Sequence, residues 1–75
     1  MTIRLLLVDD HIVVLTGIRM LLEGEPYVEI VGEAGTAREA LQAVSELHPD
    51  VILMDIGLPD LSGIDATREI KHLYP

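Results

Sequence analysis

Apolar positions along the chain form three short runs, each followed by a longer stretch with helical periodicity. The first run, Ile3 to Val8, is interrupted only by Arg4 and stops at Asp9-Asp10. The second, Val28 to Gly32, alternates more, with Glu29 between Val28 and Ile30. The third, Val51 to Met54, is uniformly apolar and stops at Asp55. Short apolar runs bounded by acids, Gly and Pro predict buried strands. The first and third have the composition of parallel strands covered on both faces, and the second suits an edge.

Between them, residues 11 to about 23 place Val14, Ile18, Leu21 and Leu22 at i, i+4, i+7 and i+8, which predicts one buried helical stripe. Gly17 falls inside this helix and should cost about 1 kcal/mol against Ala, and Gly24-Glu25-Pro26 ends it. A second helix opens on Thr36 and Glu39, the spacing of a capping box. It should bury Ala40, Leu41, Val44 and Leu47 and stop at Pro49. A third helix is expected from Ser62-Gly63, burying Ile64, Thr67, Ile70 and Leu73 and running out at Tyr74-Pro75. The order is βαβαβα, and strand starts about 25 residues apart suit right-handed parallel crossovers.

Seventy-five residues allow one small domain, and a chain this short buries only about 60% of the surface it exposes unfolded. An apolar content of 49% is globular and too high for disorder. The absence of cysteine removes disulfides and thiolate metal sites. No apolar run reaches the roughly 18 residues of a membrane span and no signal peptide opens the chain, so a cytoplasmic location is the default expectation. The net charge of −8 argues against this segment gripping nucleic-acid phosphates and is compatible with holding a cation.

The acids fall where a parallel sheet would use them. Asp9, Asp10 and Asp55 directly follow two strands, and open α/β sheets bind ligands beyond the carboxyl ends of their strands. If the first and third strands are neighbours, the three carboxylates share one crevice. Clustered carboxylates repel unless a cation is present, and Mg²⁺ suits one or two carboxylates supplemented by water and phosphate oxygens. The plainer alternative is that Asp10 only caps the next helix; Asp55, on a separate strand end, favours a site.

Three motifs then point one way. Val8-Asp9-Asp10-His11, the strand Val51 to Asp55, and the turn Asp55-Ile56-Gly57-Leu58-Pro59-Asp60-Leu61-Ser62-Gly63 together resemble the receiver domain of bacterial two-component response regulators. The stretch His11 to Leu22, with Gly17 followed by Ile18, is similar to the subfamily whose receivers precede a LuxR-type helix-turn-helix. His48-Pro49-Asp50 and residues 63–75 also fit, so the resemblance spans the chain.

The resemblance implies a flavodoxin-like α/β fold with strand order 2-1-3. Its fourth and fifth strand–helix units are expected to be absent, residues 1–75 being one partial receiver domain. It implies that Asp55 is the phosphoacceptor, taking a phosphoryl group from a sensor histidine kinase or a small phosphodonor with Mg²⁺ as cofactor. Asp10 and Asp55 would ligate the metal directly, Gly57 through its backbone carbonyl and Asp9 through water. Pro59 would stiffen the loop presenting Gly57, and Gly63 would permit the helix to start. Transcription would be regulated through a DNA-binding output domain outside these residues. The hydroxyl and lysine that contact the phosphoryl group in the family have no counterpart here: Lys71, the only lysine, sits in the third helix. Losing such charge stabilisation costs about 10²–10³-fold in rate, so slow or undetectable phosphorylation of this chain is expected.

Other residues read more plainly. His11 follows two acids, but Mg²⁺ disfavours imidazole and helix-start polarity accounts for it. His48 and His72 read as surface residues. Val13, Val14 and Leu15 widen the apolar face of the first helix, with packing favoured over a contact surface for Leu15. Glu23, Glu25, Glu29 and Glu33 read as a solvated face. Val51 to Met54 would be an unprotected edge strand, so a homo-oligomer is expected through that edge or through uncovered sheet face. A non-catalytic self-associating module is therefore the alternative function. An enzymatic role is not expected: a haloacid-dehalogenase-like phosphatase needs an acid two residues after its nucleophile, where Gly57 stands, and no G-x-G-x-x-G follows the first strand.

Overall fold

The computed structural model describes residues 2–60 and 62–73. Six elements alternate along the chain: β1 (Ile3–Val8), α1 (Ile12–Leu22), β2 (Val28–Ala34), α2 (Ala37–Leu47), β3 (Val51–Met54) and α3 (Gly63–Leu73). The strands form one parallel sheet in the order β2-β1-β3. This is the α/β, flavodoxin-like arrangement expected for three strand–helix units. β2 runs two residues beyond its expected end at Gly32, and its register slips between Leu5 and Leu6 of β1, so that Leu5 faces Ile30 and Leu6 faces Gly32.

The register that matters is that of β1 with β3. Leu5 lies opposite Val51 and Val8 opposite Met54, so the two strands end level. The ladder continues one step further: the Asp55 amide donates to the Val8 carbonyl at 2.8 Å, and the Asp9 amide to Ala34 at 2.9 Å. Asp9 and Asp55 are thereby set side by side by backbone hydrogen bonds alone.

Side-chain alternation along β1 divides the core. Leu6 and Val8 join Ala34, Ala37, Ala40, Val44, Leu58, Ala66 and Ile70 in one buried cluster, with Ile52 and Met54 packed against it. Small residues dominate the helix side of that cluster, which lets α2 and α3 approach the sheet closely. Leu5 and Leu7 are covered on the opposite face, where Leu7 and Leu53 share a cleft with Leu15 and Ile18 of α1.

Two helical stripes differ from the expected ones. No residue of α1 is fully buried. Leu21 is 80% exposed and Val14 43%, because the helix turns Leu15, Ile18 and Leu22, at i, i+3 and i+7, toward the sheet and leaves 14 and 21 on its flank. In α3 the buried positions are Gly63, Ala66 and Ile70, whereas Ile64, Thr67 and Leu73 are exposed. Gly63 sets that rotation: its amide donates to the Ile56 carbonyl at 2.7 Å, and a Cβ there would overlap the Asp55 carbonyl. In α2, Ala40 and Val44 are buried as expected and Ala37 joins them, while Leu41 and Leu47 are half-buried. The expected run-out at Tyr74-Pro75 lies outside the described residues.

Capping explains where α2 begins and ends. The Thr36 hydroxyl accepts from the Glu39 amide at 3.1 Å, one arm of the expected capping box. A second cap comes from outside the helix: the Asp60 carboxylate accepts from the Ala37 and Arg38 amides at 2.8 and 3.1 Å. The helix ends at His48, whose left-handed backbone (φ 49°) precedes Pro49. Asp50 then clips β3 to β1, its carboxylate accepting from the Arg4 amide at 2.9 Å. No helix among the described residues is long and apolar enough to cross a membrane.

Candidate functional site

Where β1 and β3 end together, Asp9, Asp10, His11 and Asp55 converge. Each offers one donor atom, and the four atoms all lie within 4.8 Å of one another. Three of these residues were anticipated from the strand ends. The fourth, His11, stands at the start of α1 as expected, and its ring also joins the cluster. His11 is the N-cap residue of α1 but makes no side-chain cap. Its imidazole turns back over the acids, with Nδ1 2.8 Å from Asp9 Oδ1, 3.0 Å from Asp10 Oδ1 and 3.8 Å from Asp55 Oδ2.

Electrostatics follow from these contacts. Asp9 accepts the His11 amide at 2.9 Å, and this hydrogen bond, helped by the imidazole, holds its carboxyl below the ordinary value. His11 is raised, first by its hydrogen bond to Asp9 and then by the charges of Asp10, Asp9 and Asp55. A cationic group is thus favoured at the centre of the cluster, as expected where three carboxylates meet.

Asp55 is held by its neighbours on both sides. Its Oδ1 accepts the Gly57 amide at 3.2 Å, a short turn that starts the loop toward α3. Gly63 then seals the far end of that loop against the Asp55 backbone, a close approach that only glycine allows. The remaining oxygen, Oδ2, is buried without a hydrogen-bond partner. A buried carboxylate oxygen with no donor is unfavourable by about 1–3 kcal/mol or more unless something else satisfies it. Together with an oxygen-rich donor set, this orphan atom fits a hard divalent cation such as Mg²⁺. The geometry thus brings Asp9, Asp10 and Asp55 together and ties Gly57 to Asp55 through its amide. Lys71 lies apart, lining a separate cleft with Val44 and Ile52.

One further role escaped sequence reading. Asp60 reaches across to cap α2, and its carboxyl is lowered first by the Ala37 amide and then by that of Arg38. Its partners lie 23 and 22 residues away, and no local pattern encodes that contact. Gly63 opens α3 as expected, and it also makes the close approach to Asp55.

The comparisons with known proteins agree with this geometry. Residues 5–75 match the family model described as the response regulator receiver domain. The chain is 43% identical over 71 residues to the transcriptional regulatory protein YdfI of Bacillus subtilis, covering 95% of this chain and 33% of that protein. It is 44% identical over 75 residues to the response regulator protein VraR of Staphylococcus aureus, covering all of this chain and 36% of that protein. The chain therefore spans about a third of the length of the curated relatives it matches. Among solved structures, a LuxR-family two-component response regulator from Aurantimonas superposes over 99% of this chain and 53% of its own, with TM-score 0.91 and 43% identity. The response regulator domain of Thermotoga maritima CheB superposes over 100% of this chain and 56% of its own, with TM-score 0.94 and 37% identity. The acid crevice at the ends of β1 and β3, the sheet order and the match over residues 5–75 place the chain in the response regulator receiver domain family.

Proposed function

We propose that Asp55 is the phosphoacceptor of a two-component phosphorelay, with Asp10, Asp55 and the Gly57 carbonyl as direct ligands of Mg²⁺ and Asp9 acting through water. The observation that carries this reading is the buried, partnerless Oδ2 of Asp55 beside Asp9 and Asp10. A carboxylate oxygen of Asp55 attacks phosphorus. The P–N bond of a phospho-histidine, or the P–O bond of an acyl phosphate, breaks; its electron pair leaves with the imidazole or carboxylate, and an acyl phosphate forms on Asp55. Bound Mg²⁺ would neutralise phosphoryl oxygens and offset repulsion among the acids. The Gly57 amide orients the Asp55 carboxylate, and the seal by Gly63 fixes its backbone.

The partner that fits is a sensor histidine kinase, and the output is transcription regulated through a DNA-binding domain beyond these residues, in a cytoplasmic setting. Lys71, the one lysine of the sequence, lines a separate cleft away from the acids, so slow transfer is expected. Intact mass after prolonged incubation with acetyl phosphate tests this. A slowly accumulating, Mg²⁺-dependent phosphoryl adduct, abolished by Asp55→Asn, is expected. An adduct that survives the substitution or forms in excess chelator would contradict the assignment.

One observation favours a second reading, self-association. Among the described residues β3 pairs only with β1, and Val51 and Leu53 are each 44% exposed. Sedimentation showing a monomer at all concentrations, with sharp unfolding, would exclude it.

A further inference from the structure

We propose that His11 makes the acid crevice selective among dications: its imidazole stands in the way of Mg²⁺ and serves through Nδ1 as a ligand for borderline first-row ions such as Zn²⁺ and Co²⁺. This rests on reading the crevice as a metal site. The geometry is already that of a mixed nitrogen–oxygen donor set. Nδ1 lies 2.8 and 3.0 Å from oxygens of Asp9 and Asp10. Adjacent ligands of an octahedral ion with bonds near 2.1 Å are about 3 Å apart, so those separations need little change around a metal. Asp55 Oδ2, 3.8 Å from Nδ1 and without a hydrogen-bond partner, supplies a third donor facing the same point.

The two classes of ion respond to this arrangement differently. Mg²⁺ takes oxygen ligands and retains water, so it gains nothing from imidazole and must break the contacts of His11 with Asp9 and Asp10. Zn²⁺ and Co²⁺ accept imidazole readily and lie above Mn²⁺ and Fe²⁺ in affinity for such sites. They keep the ring where it stands: the Nδ1 proton is released to solvent, and a coordinate bond takes the place of its hydrogen bonds. The side chain is 64% exposed, so it swings outward for one ion and stays for the other without disturbing the core.

The test compares the wild-type chain with His11→Ala, using Mg²⁺, Co²⁺ and Zn²⁺ each alone, with circular dichroism to verify folding. Affinity is read by calorimetry, coordination by the visible absorption of Co²⁺, and the ring by its assigned imidazole resonances on adding Zn²⁺. His48 and His72 serve as internal controls for surface binding. The expected result is a His11 ring perturbed by Zn²⁺ well before the other two histidines. His11→Ala should weaken Co²⁺ binding about tenfold or more and tighten Mg²⁺ binding several-fold. Equal Co²⁺ affinity and spectrum in both proteins, with Mg²⁺ binding intact, would overturn the role of His11 and leave the receiver reading standing. Binding of none of the three ions at Asp9, Asp10 and Asp55 would overturn both.

Discussion

Under α2 and α3, the sheet presents Leu6, Val8 and Ala34 to buried alanines and Val44, whereas across the sheet α1 contributes no fully buried residue and β3 keeps Val51 and Leu53 at the surface. Both helical layers are amphipathic by sequence. The difference lies in how each helix is held. α2 is capped by Thr36 and Asp60, and α3 is drawn in by Gly63, so both approach the sheet closely. α1 has a side-chain tie to β2 through Arg19 and Glu33, and its N-cap histidine turns to the acids instead of to its own backbone. One face is fixed by packing and caps; the other is bound up with the chemistry.

Truncation separates the two faces most sharply. Leu6→Ala should destabilise by about 2–5 kcal/mol, while Leu21→Ala should stay within about 0.5 kcal/mol, both measured by urea unfolding. Equal effects would mean that α1 packs as tightly as α2. Next comes the seal behind Asp55: Gly63→Ala should destabilise by about 1–3 kcal/mol and move the Asp55 and Ile56 amide resonances, because the new methyl has to displace the Asp55 carbonyl. Thr36→Ala, which removes the local cap of α2, should cost about 1 kcal/mol; no change would mean that Asp60 alone suffices.

The smallest effects are in pH. Asp60 is lowered by the Ala37 and Arg38 amides, so its contribution is present above the ordinary value of 3.8 and lost as pH falls through the lowered one. His11 is raised by Asp9 and the neighbouring charges, so its contribution is complete below the ordinary 6.5 and lost as pH rises through the raised value. Melting temperature against pH should therefore lose part of its acid slope in Asp60→Asn and part of its decline above neutrality in His11→Ala. Identical profiles would remove these contacts from the account.

What was legible in the sequence was what is local or periodic. Apolar runs located the strands, the Thr36–Glu39 spacing marked the start of α2, and acids directly after β1 and β3 located the crevice. What was not legible depends on distant partners. Nothing near Asp60 in the chain says that it caps a helix 23 residues earlier. The rotation of α3 follows from Gly63 meeting the Asp55 backbone, a contact that only the folded loop defines. The stripe of α1 was misjudged because Val14 and Leu21 satisfy helical spacing as well as Leu15, Ile18 and Leu22 do. His11 starts α1 as its position implies, but the turn of its ring over Asp9 and Asp10 depends on the folded strand ends.

The most direct test of the crevice is a Mg²⁺ titration followed by backbone amide resonances, in the wild-type chain and in Asp55→Asn and Asp10→Asn. The account predicts saturable shifts concentrated at Asp9, Asp10, Asp55 and Gly57, weakened about tenfold or more in both variants. Shifts spread over Glu23, Glu25 and Glu29, or unchanged by either substitution, would contradict a built cation site at the ends of β1 and β3.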